Sequence, residues 1–168
     1  MAADMFLKLE GPVVNGESPD SVHKDLIEIS GFNWGVTNLG TAGVGGGGGS
    51  GAANKQDLIV TKQTDKASNV LMVGCASGQH YTKATLYCRK AGGDALDYLT
   101  IEMGPGDKGA VFLSGYLVSG QGSAGEIPTE QVTINFSTLN MIYNQQAKEG
   151  SGAGPAPLGW DFGKKHKL

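Results

Sequence analysis

The stretch QVTINFSTLNMIYNQQ, residues 131–146, alternates apolar and polar side chains over most of its length. An alternation with a period of two places the apolar side chains on one face of an extended chain, which is typical of a half-buried β-strand. The same period recurs in MFLKLEG near the N-terminus, in KATLYCRK and in DYLTIEM, and each run is bounded by Gly, Pro or Asn. The chain is therefore predicted to be mainly antiparallel β.

The length and composition fit one compact domain. The chain has 168 residues and a mass of 17.3 kDa, and its 39% of hydrophobic residues are too many for a disordered chain. Its 28 glycines must then belong to the turns and loops of a folded protein. We assign residues 1–168 to a single domain.

The charge pattern argues against nucleic acid and membranes as partners. The net charge is −3 at pH 7, and lysines and acidic residues are interspersed, so no basic field is expected to attract nucleic acid or anionic lipid. No window approaches the ~18 consecutive apolar residues of a membrane-spanning helix. The N-terminal MAADMFLKLEGP lacks the basic and apolar regions of a cleaved signal peptide. We expect a soluble protein that is made in the cytoplasm.

One predicted strand, DLIEISGFNWGV at residues 25–36, needs an irregularity if it is to bury its four large apolar side chains. Two of them precede Ser30 and two follow Gly31, and the second two have the wrong parity. A β-bulge at these two residues would correct the parity, because glycine tolerates the backbone that a bulge requires. The side chains that would then share one buried face are Ile27, Ile29, Phe32 and Trp34. Glu28 and Asn33 would point outward together.

One segment departs from the β pattern. Residues 65–78, DKASNVLMVGCASG, are predicted to form a helix of about three turns. Asp65 or Ser68 can cap its N-terminus, and Gly78 suits the left-handed position after its end. Apolar and small residues recur at helical spacing at Val70, Leu71, Gly74 and Cys75. Because the side chains on this face are small, we expect the helix to pack closely against the β-structure.

The C-terminal tail, residues 150–168, is rich in glycine and proline, which argues against regular structure. Trp160 and Phe162 within it are costly to leave in water. We expect an irregular segment that is pinned to its own domain or to a neighbouring one.

The segment 37–56 contains the run GVGGGGGSG. A phosphate-binding loop would require GxxxxGK[ST] between a strand and a helix, whereas here Ala-Ala-Asn-Lys follows the glycines and the strand-like DLIVTKQ comes next. An engineered linker is disfavoured because neither flank could fold alone. We predict a natural extended arm, since loops of this length in compact domains are usually functional or disordered.

No arrangement of reactive side chains predicts catalysis or metal binding. Cys75 and Cys88 have neither CxxC nor zinc-site spacing, so they are expected to be buried thiols. Asp94, Asp97 and Glu102 are scattered between glycines and strand residues and are predicted to be solvated. The three histidines, expected to be surface or structural residues, are His23, His80 and His166. We predict a protein with no enzymatic activity, no cofactor and no metal.

Several stretches taken together resemble the haemolysin-coregulated protein family, Hcp, the tube-forming component of bacterial type VI secretion systems. The matching stretches are MAADMFLKLEG, Gly16-Glu17-Ser18 with His23, Phe32-Asn33-Trp34-Gly35, DLIVTKQTDKAS, LMVGCASGQHY and Gly159-Trp160-Asp161. Their order and spacing cover nearly the whole chain, and their co-occurrence is specific although no single motif is. The chain departs from the family by a Pro12-Val13-Val14 insertion in its first turn and by the purity of its glycine run.

The resemblance implies an antiparallel β-barrel with one flanking α-helix and a long Gly-rich extended loop. It also implies a homohexameric ring, rings stacked into a tube inside a contractile sheath, and small effector proteins in the lumen. The tube would be expelled with its spike through the type VI apparatus, without a cleaved signal peptide and without catalysis. In such proteins the Gly-rich loop reaches a neighbouring ring. The loop residues in question are Gly45, Gly46, Gly47, Gly48, Gly49, Ser50 and Gly51.

The parity of the strand at residues 25–36 predicts which side chains face the lumen or the seam between subunits. These candidates are Glu28, Ser30 and Asn33. Exposed edge strands and apolar loop ends such as Trp160 favour association independently of the resemblance, because both need cover.

Two alternatives come from other classes of protein. A monomeric β-barrel could bind a small molecule or a carbohydrate with Trp34, Tyr81 and Trp160 as stacking platforms, and its oligomeric state would distinguish it from a tube protein. A hydrolase could be built on Cys75 or His80, but Cys75 lies on the packing face of the helix and His80 follows the helix end, so the two need not meet. The chain ends about where the barrel does, so we expect none of the toxin domains that some family members carry.

Overall fold

The fold was analysed in a computed structural model, which describes residues 4–40, 51–90, 96–106, 110–122, 124–145 and 155–168. Strands dominate this part of the chain, and it contains one helix. In chain order the elements are β1 (Asp4–Glu10), β2 (Ile27–Ile29), β3 (Gly31–Asn33), β4 (Val36–Asn38), β5 (Ala53–Lys55), β6 (Leu58–Gln63), α1 (Ser68–Ser77), β7 (His80–Tyr81), β8 (Lys83–Arg89), β9 (Asp97–Met103), β10 (Val111–Ser119), β11 (Thr129–Phe136), β12 (Thr138–Asn144), β13 (Pro155–Asp161) and β14 (His166–Lys167).

The strands pair in three antiparallel sheets. A seven-stranded sheet has the order β14-β13-β12-β9-β8-β1-β2, and a five-stranded sheet has the order β3-β6-β11-β10-β7. The third sheet is the two-stranded ribbon β4-β5. The two large sheets enclose one hydrophobic core, to which both contribute alternate residues such as Leu7 and Leu86 from one and Val60 and Ile134 from the other. The predictions of a mainly antiparallel β fold and of a single flanking helix are confirmed.

The alternating stretch at residues 131–144 forms two strands of different sheets. β11 pairs with β6 and β10 in the five-stranded sheet, whereas β12 pairs with β9 and β13 in the seven-stranded one. The alternation is therefore carried by two strands that meet at Ser137, and each faces the shared core with its own parity. Val132, Ile134 and Phe136 are buried on one strand, and Leu139 is buried on the other.

The predicted bulge at Ser30 and Gly31 is wrong, because the chain changes sheets there instead. β2 pairs with β1 in the large sheet, and β3 pairs with β6 in the small one. Ser30 forms the corner, where its backbone N–H and its hydroxyl both donate to the carbonyl of Thr61, at 2.7 and 3.0 Å. The change of sheets corrects the parity in place of a bulge, so that all four large apolar side chains of this segment face the core. Glu28 and Asn33 are exposed, as predicted.

Helix α1 lies within the predicted segment 65–78. Gly78 follows its end with φ +67°, and the N–H groups of residues 78 and 79 close the helix by donating to Cys75 and Gly74 carbonyls. Leu71 and Gly74 are buried against the β-structure, but Val70 is 48% exposed and does not belong to the packing face. The prediction that Asp65 or Ser68 caps the helix is wrong, because the N-cap is Ala67 and no side chain makes a capping hydrogen bond. The carboxylate of Asp65 accepts from the N–H of Ala67, and the Ser68 hydroxyl accepts from the N–H of Asp65, both within the turn before the helix.

The prediction of an irregular C-terminal tail at residues 150–168 is wrong for residues 155–161 and 166–167, which form strands, while residues 150–154 lie outside the described residues. β13 pairs with β12 over its whole length, and β14 pairs only with Trp160 and Asp161. Pro155 and Pro157 therefore lie where β13 has a neighbour on one side only, which is where a strand tolerates residues that cannot donate a hydrogen bond. Phe162 packs against the core, so the tail is pinned to its own domain as predicted.

The insertion in the first turn is also tied into the fold. Val14 is 3% exposed and forms an isolated bridge with Leu9, while Val13 remains on the surface. Among the described residues, no helix has the length and apolar character that crossing a membrane requires.

Candidate assembly surfaces

The predicted seam residues divide between two sheets. Glu28 lies in the middle of β2 and Ser30 at the corner, and both border two neighbouring clefts. Asn33 ends β3 in the other sheet and is not among the lining residues of these clefts. The structure thus brings two of the three candidates together and separates the third.

The two clefts on either side of β2 are acidic. The first has a volume of about 490 Å³ and the second about 290 Å³, and both share Glu28, Ile29 and Ser30. Neither has a basic lining residue among those described. The carboxylates that line one or the other are Asp4, Glu17, Asp20, Glu28 and Asp65.

A surface loop forms one wall of the first cleft and is held by an ion pair and by a contact between a histidine and a carboxylate. Arg89 donates to both carboxylate oxygens of Asp20, at 2.6 and 3.0 Å, and this hydrogen-bonded guanidinium holds the pKa of Asp20 well below its usual range. Nearby, His23 Nε2 lies 2.9 and 3.0 Å from the two oxygens of Asp97. The imidazole is buried between the rings of Phe6 and Tyr87, with centroids 4.8 and 4.5 Å away. His23 is therefore structural, as expected.

The acidic residues that were predicted to be solvated are paired instead. Asp97 contacts His23 and lies 3.7 Å from the Arg89 Nε, and Glu102 binds Lys83 and Asn140. Both lie on β9, where Arg89 is the register partner of Asp97 and Asn140 that of Glu102, while Lys83 lies two residues before Thr85, the β8 partner of Glu102. No spacing along the chain indicates these contacts. Asp94 lies outside the described residues.

An apolar groove lies at the other end of the large sheet. Its volume is about 460 Å³, and it runs between the β4-β5 ribbon and the C-terminal strand β13. Leu158 is 62% exposed and Trp160 is 38% exposed, so large apolar surface reaches solvent there. The lining residues with the largest apolar side chains are Trp34, Leu139, Leu158, Trp160 and Phe162.

The β4-β5 ribbon is the base of the predicted Gly-rich arm. At the base of the ribbon, the main-chain N–H of Gln56 donates a hydrogen bond of 2.9 Å to the carbonyl of Gly35. The Trp34 indole N–H donates to the carbonyl of Gln56. At Gly51 a Cβ atom would lie 2.2 Å from the carbonyl oxygen of Leu39, so a glycine is required for this close backbone approach. The other ring-stacking candidates, residues 45–50, lie outside the described residues.

The surface beyond β13 is basic. The turn between β13 and β14 and the short β14 itself carry Lys164, Lys165, His166 and Lys167, all of them exposed. The carboxylate of Asp161 is buried and accepts the N–H of Lys164, and the Lys164 ammonium lies 3.9 Å from it. Lys165 adopts a left-handed backbone with φ +57°, which completes this tight turn.

The residues of the two alternative functions are not assembled into a site. Tyr81, proposed as a stacking platform, is 1% exposed and packs beneath Gly74, whereas Trp34 and Trp160 line the apolar groove. Cys75 packs against the core, and the ring of His80 packs on Phe112 at 5.6 Å. Burial, and then the charge of Asp97, raise the pKa of the Cys88 thiol to about 11, which makes it a poor nucleophile near neutral pH. The described residues contain no group of three or more candidate metal ligands.

A fully buried ion pair was not predicted. Lys62 has no exposed surface, and its ammonium lies 2.9 Å from Glu130 and 2.8 Å from Asp65, with the Ser68 hydroxyl at 3.2 Å. The cluster joins β6, β11 and the start of α1. Each of the two has the core-facing parity of its strand, with Val60 on β6 and with Val132 on β11, but only the register between the strands shows that they pair.

Known proteins resemble this chain over its whole length. The family described as "Type VI secretion system effector, Hcp" matches residues 6–143. Protein hcp1 of Pseudomonas aeruginosa is 39% identical over 164 residues, which cover 96% of either chain. Among solved structures, a type six secretion system protein has a TM-score of 0.89 at 30% identity, covering 99% of this chain and 100% of its own. Hcp1 from Salmonella typhimurium has a TM-score of 0.78 at 30% identity, with both chains covered completely.

Proposed function

Because this chain belongs to the Hcp family of type VI secretion system proteins, we propose that it is the repeating subunit of a secreted tube. Six copies close into a ring, the rings stack into the inner tube of a contractile sheath, and small effector proteins travel in the lumen. The observation that carries the proposal is the match of the entire fold, with a TM-score of 0.89 over 99% of the chain.

The exposed apolar surface supports self-association. The groove between the β4-β5 ribbon and β13 exposes Leu158 and Trp160, and Leu39 beside the ribbon is 83% exposed. Contiguous apolar patches on a soluble protein commonly mark an interface. The β4-β5 ribbon, from which the Gly-rich arm extends, forms one wall of this groove. In stacked rings, the arm of one ring covers the groove of the next.

The composition of the arm suits a contact that forms and later breaks. A chain without side chains can settle on several surfaces, but ordering it costs about 1 to 2 kcal/mol per residue in backbone entropy. Ring stacking through residues 45–51 would then be weak per copy and repeated around the ring. A tube that assembles and disperses needs such contacts.

Three residues are proposed to face either the seam between subunits or the lumen: Glu28, Ser30 and Asn33. The first two border the acidic clefts, and the third is exposed at the end of β3. The role is structural, with sheath, spike and effector proteins as partners. Export takes place through the type VI apparatus without a cleaved signal peptide.

Light scattering coupled to size exclusion tests the ring. Purified protein at micromolar concentration and near-physiological salt is expected to show a mass near six times 17.3 kDa. A monomer at every concentration would overturn the proposal and favour the ligand-binding barrel. The variants Glu28→Lys and Asn33→Gln then test the seam and the lumen, since one of them is expected to change ring formation or effector retention.

A further inference from the structure

We propose that neighbouring subunits recognise each other by charge: the basic turn between β13 and β14 of one copy docks on the acidic clefts beside β2 of the next. This inference rests on the proposed ring, and it names the two surfaces that meet in it. The occupant of the clefts is thus a second copy of this chain.

The basic surface carries positive charges that are not neutralised within the chain described. Lys165 and Lys167 form no ion pair within the described residues, and the Lys164 side chain remains 69% exposed although it lies near Asp161. The segment from residue 162 to residue 167 has no acidic side chain. β14 is the edge strand of the large sheet among the described residues, and the lysines of the turn and of this strand are exposed there.

On the acidic surface, Asp20 and Asp65 are already paired with Arg89 and Lys62, but two other cleft carboxylates are not compensated. Glu28 and Asp4 are exposed and have no ion-pair partner among the described residues, although Asp4 contributes to the field around Arg89. Arg89 itself is 95% buried and occupied by Asp20, so it cannot neutralise the cleft mouth. The first cleft, at about 490 Å³, has room for lysine side chains entering from outside.

The topology places the two surfaces at opposite ends of one sheet. β14 is the first strand of the seven-stranded sheet and β2 is the last, with five strands between them. A copy can therefore offer its basic end to one neighbour and its acidic end to another at the same time. Contacts of this head-to-tail kind close into a ring when the rotation between copies allows it.

The separation of acidic and basic surfaces cannot be seen in the sequence, because acidic and basic residues are interspersed along the chain. The sequence predicts no single-sign field, but folding brings together carboxylates from β1, β2 and the loop at residues 15–26, and leaves the lysines of the last residues alone at the far end. Complementary potentials on two surfaces steer their encounter and fix their register, and they are weakened by salt.

A charge exchange tests the proposal. The variant Asp4→Lys/Glu28→Lys has two basic ends, and the variant Lys165→Glu/Lys167→Glu has two acidic ends. Each alone is expected to need a concentration at least roughly tenfold higher than the parent chain for assembly. An equimolar mixture is expected to regain the assembled mass, because each basic end then meets an acidic one. Circular dichroism checks that both variants are folded. Ser77→Glu/Gln79→Glu, at exposed positions at and just after the end of α1, adds two negative charges, half the change of −4 made by Lys165→Glu/Lys167→Glu, and controls for added negative charge away from both surfaces.

The outcomes separate the two proposals. A parent chain that stays monomeric overturns the ring itself. A parent chain that forms rings, with variants that assemble equally well alone, overturns the charge-based seam and leaves the ring intact. The charge-based seam is also overturned if the two variants fail to assemble both alone and in the mixture, because complementary charges should restore assembly in the mixture.

Discussion

Single residues decide how closely the helix can approach the sheet. At Gly74 a Cβ atom would lie 2.6 Å from the phenol oxygen of Tyr81 and 3.7 Å from Leu113. Tyr81 is 1% exposed and packed within the core, so its side chain has little room to move away. The periodic spacing of small and apolar residues indicated that Gly74 faces the sheet, but the reason for a glycine is a side chain that comes seven residues later.

Gly74→Ala is expected to lower the free energy of unfolding by about 1 to 3 kcal/mol, because overpacking outweighs the better helix propensity of alanine. Urea denaturation measures the change. Tyr81→Phe removes the clashing oxygen, so the double variant Gly74→Ala/Tyr81→Phe is expected to recover most of the loss relative to Tyr81→Phe. An alanine variant as stable as the parent chain would mean that the helix is not held this closely.

At the scale of elements, a buried ionic cluster fixes the start of α1. Lys62 on β6 contacts Glu130 on β11 and Asp65 just before the helix. Burial alone would raise the pKa of Glu130, but hydrogen bonds from Ser68 and Lys62 and the charge of Lys62 outweigh it and hold the pKa below its ordinary value. Two strands and one helix thus share one set of charges.

Lys62→Met is expected to destabilise the fold by about 3 to 5 kcal/mol, because it leaves a buried carboxylate without its cation. Lys62→Met/Glu130→Leu, which removes both buried charges, is expected to regain a large part of that loss. Thermal unfolding followed by circular dichroism measures both. If the double variant were less stable than Lys62→Met alone, the uncompensated charge would not be the cause of the loss.

At the scale of the whole molecule, ion pairs link its stability to pH. The pKa values of Asp20, Glu102 and Glu130 are lowered in the folded protein. For Asp20 the main cause is the hydrogen-bonded Arg89; for Glu102 the bonds from Lys83 and Asn140 overcome the opposing effect of burial. A lowered folded-state pKa stabilises the protein above the unfolded-state value, about 4 for these carboxyls, and the gain is lost as pH falls through the folded-state value.

The melting temperature is therefore expected to change little between pH 8 and 6 from these groups and to fall progressively below about pH 4. Asp20→Asn is expected to be less stable than the parent chain at pH 7 and to converge with it in acid, where Asp20 is protonated in both folded and unfolded chains. Glu126→Gln, at an exposed carboxyl, is the control. A gap between Asp20→Asn and the parent chain that stayed constant with pH would show that the Asp20 charge is not responsible.

The sequence by itself determined the class of fold and the family. Period-two alternation depends only on which side chains avoid water, so the strands, the position of α1 and the end of the helix at Gly78 could be predicted from local pattern. The same pattern placed Glu28 and Asn33 outside correctly. Its failure at Ser30 is instructive, since parity reports which side is buried but cannot distinguish a bulge in one sheet from a passage between two.

Only the tertiary structure decided which distant residues meet. The Lys62-Glu130 pair and the His23-Asp97 pair join positions 68 and 74 residues apart, and Pro155 and Pro157 could enter a strand because that strand has a free side. Strand order also gathered the acidic clefts at one end of the large sheet and the lysines at the other. Such arrangements follow from long-range pairing in the antiparallel sheets, and no local periodicity encodes them.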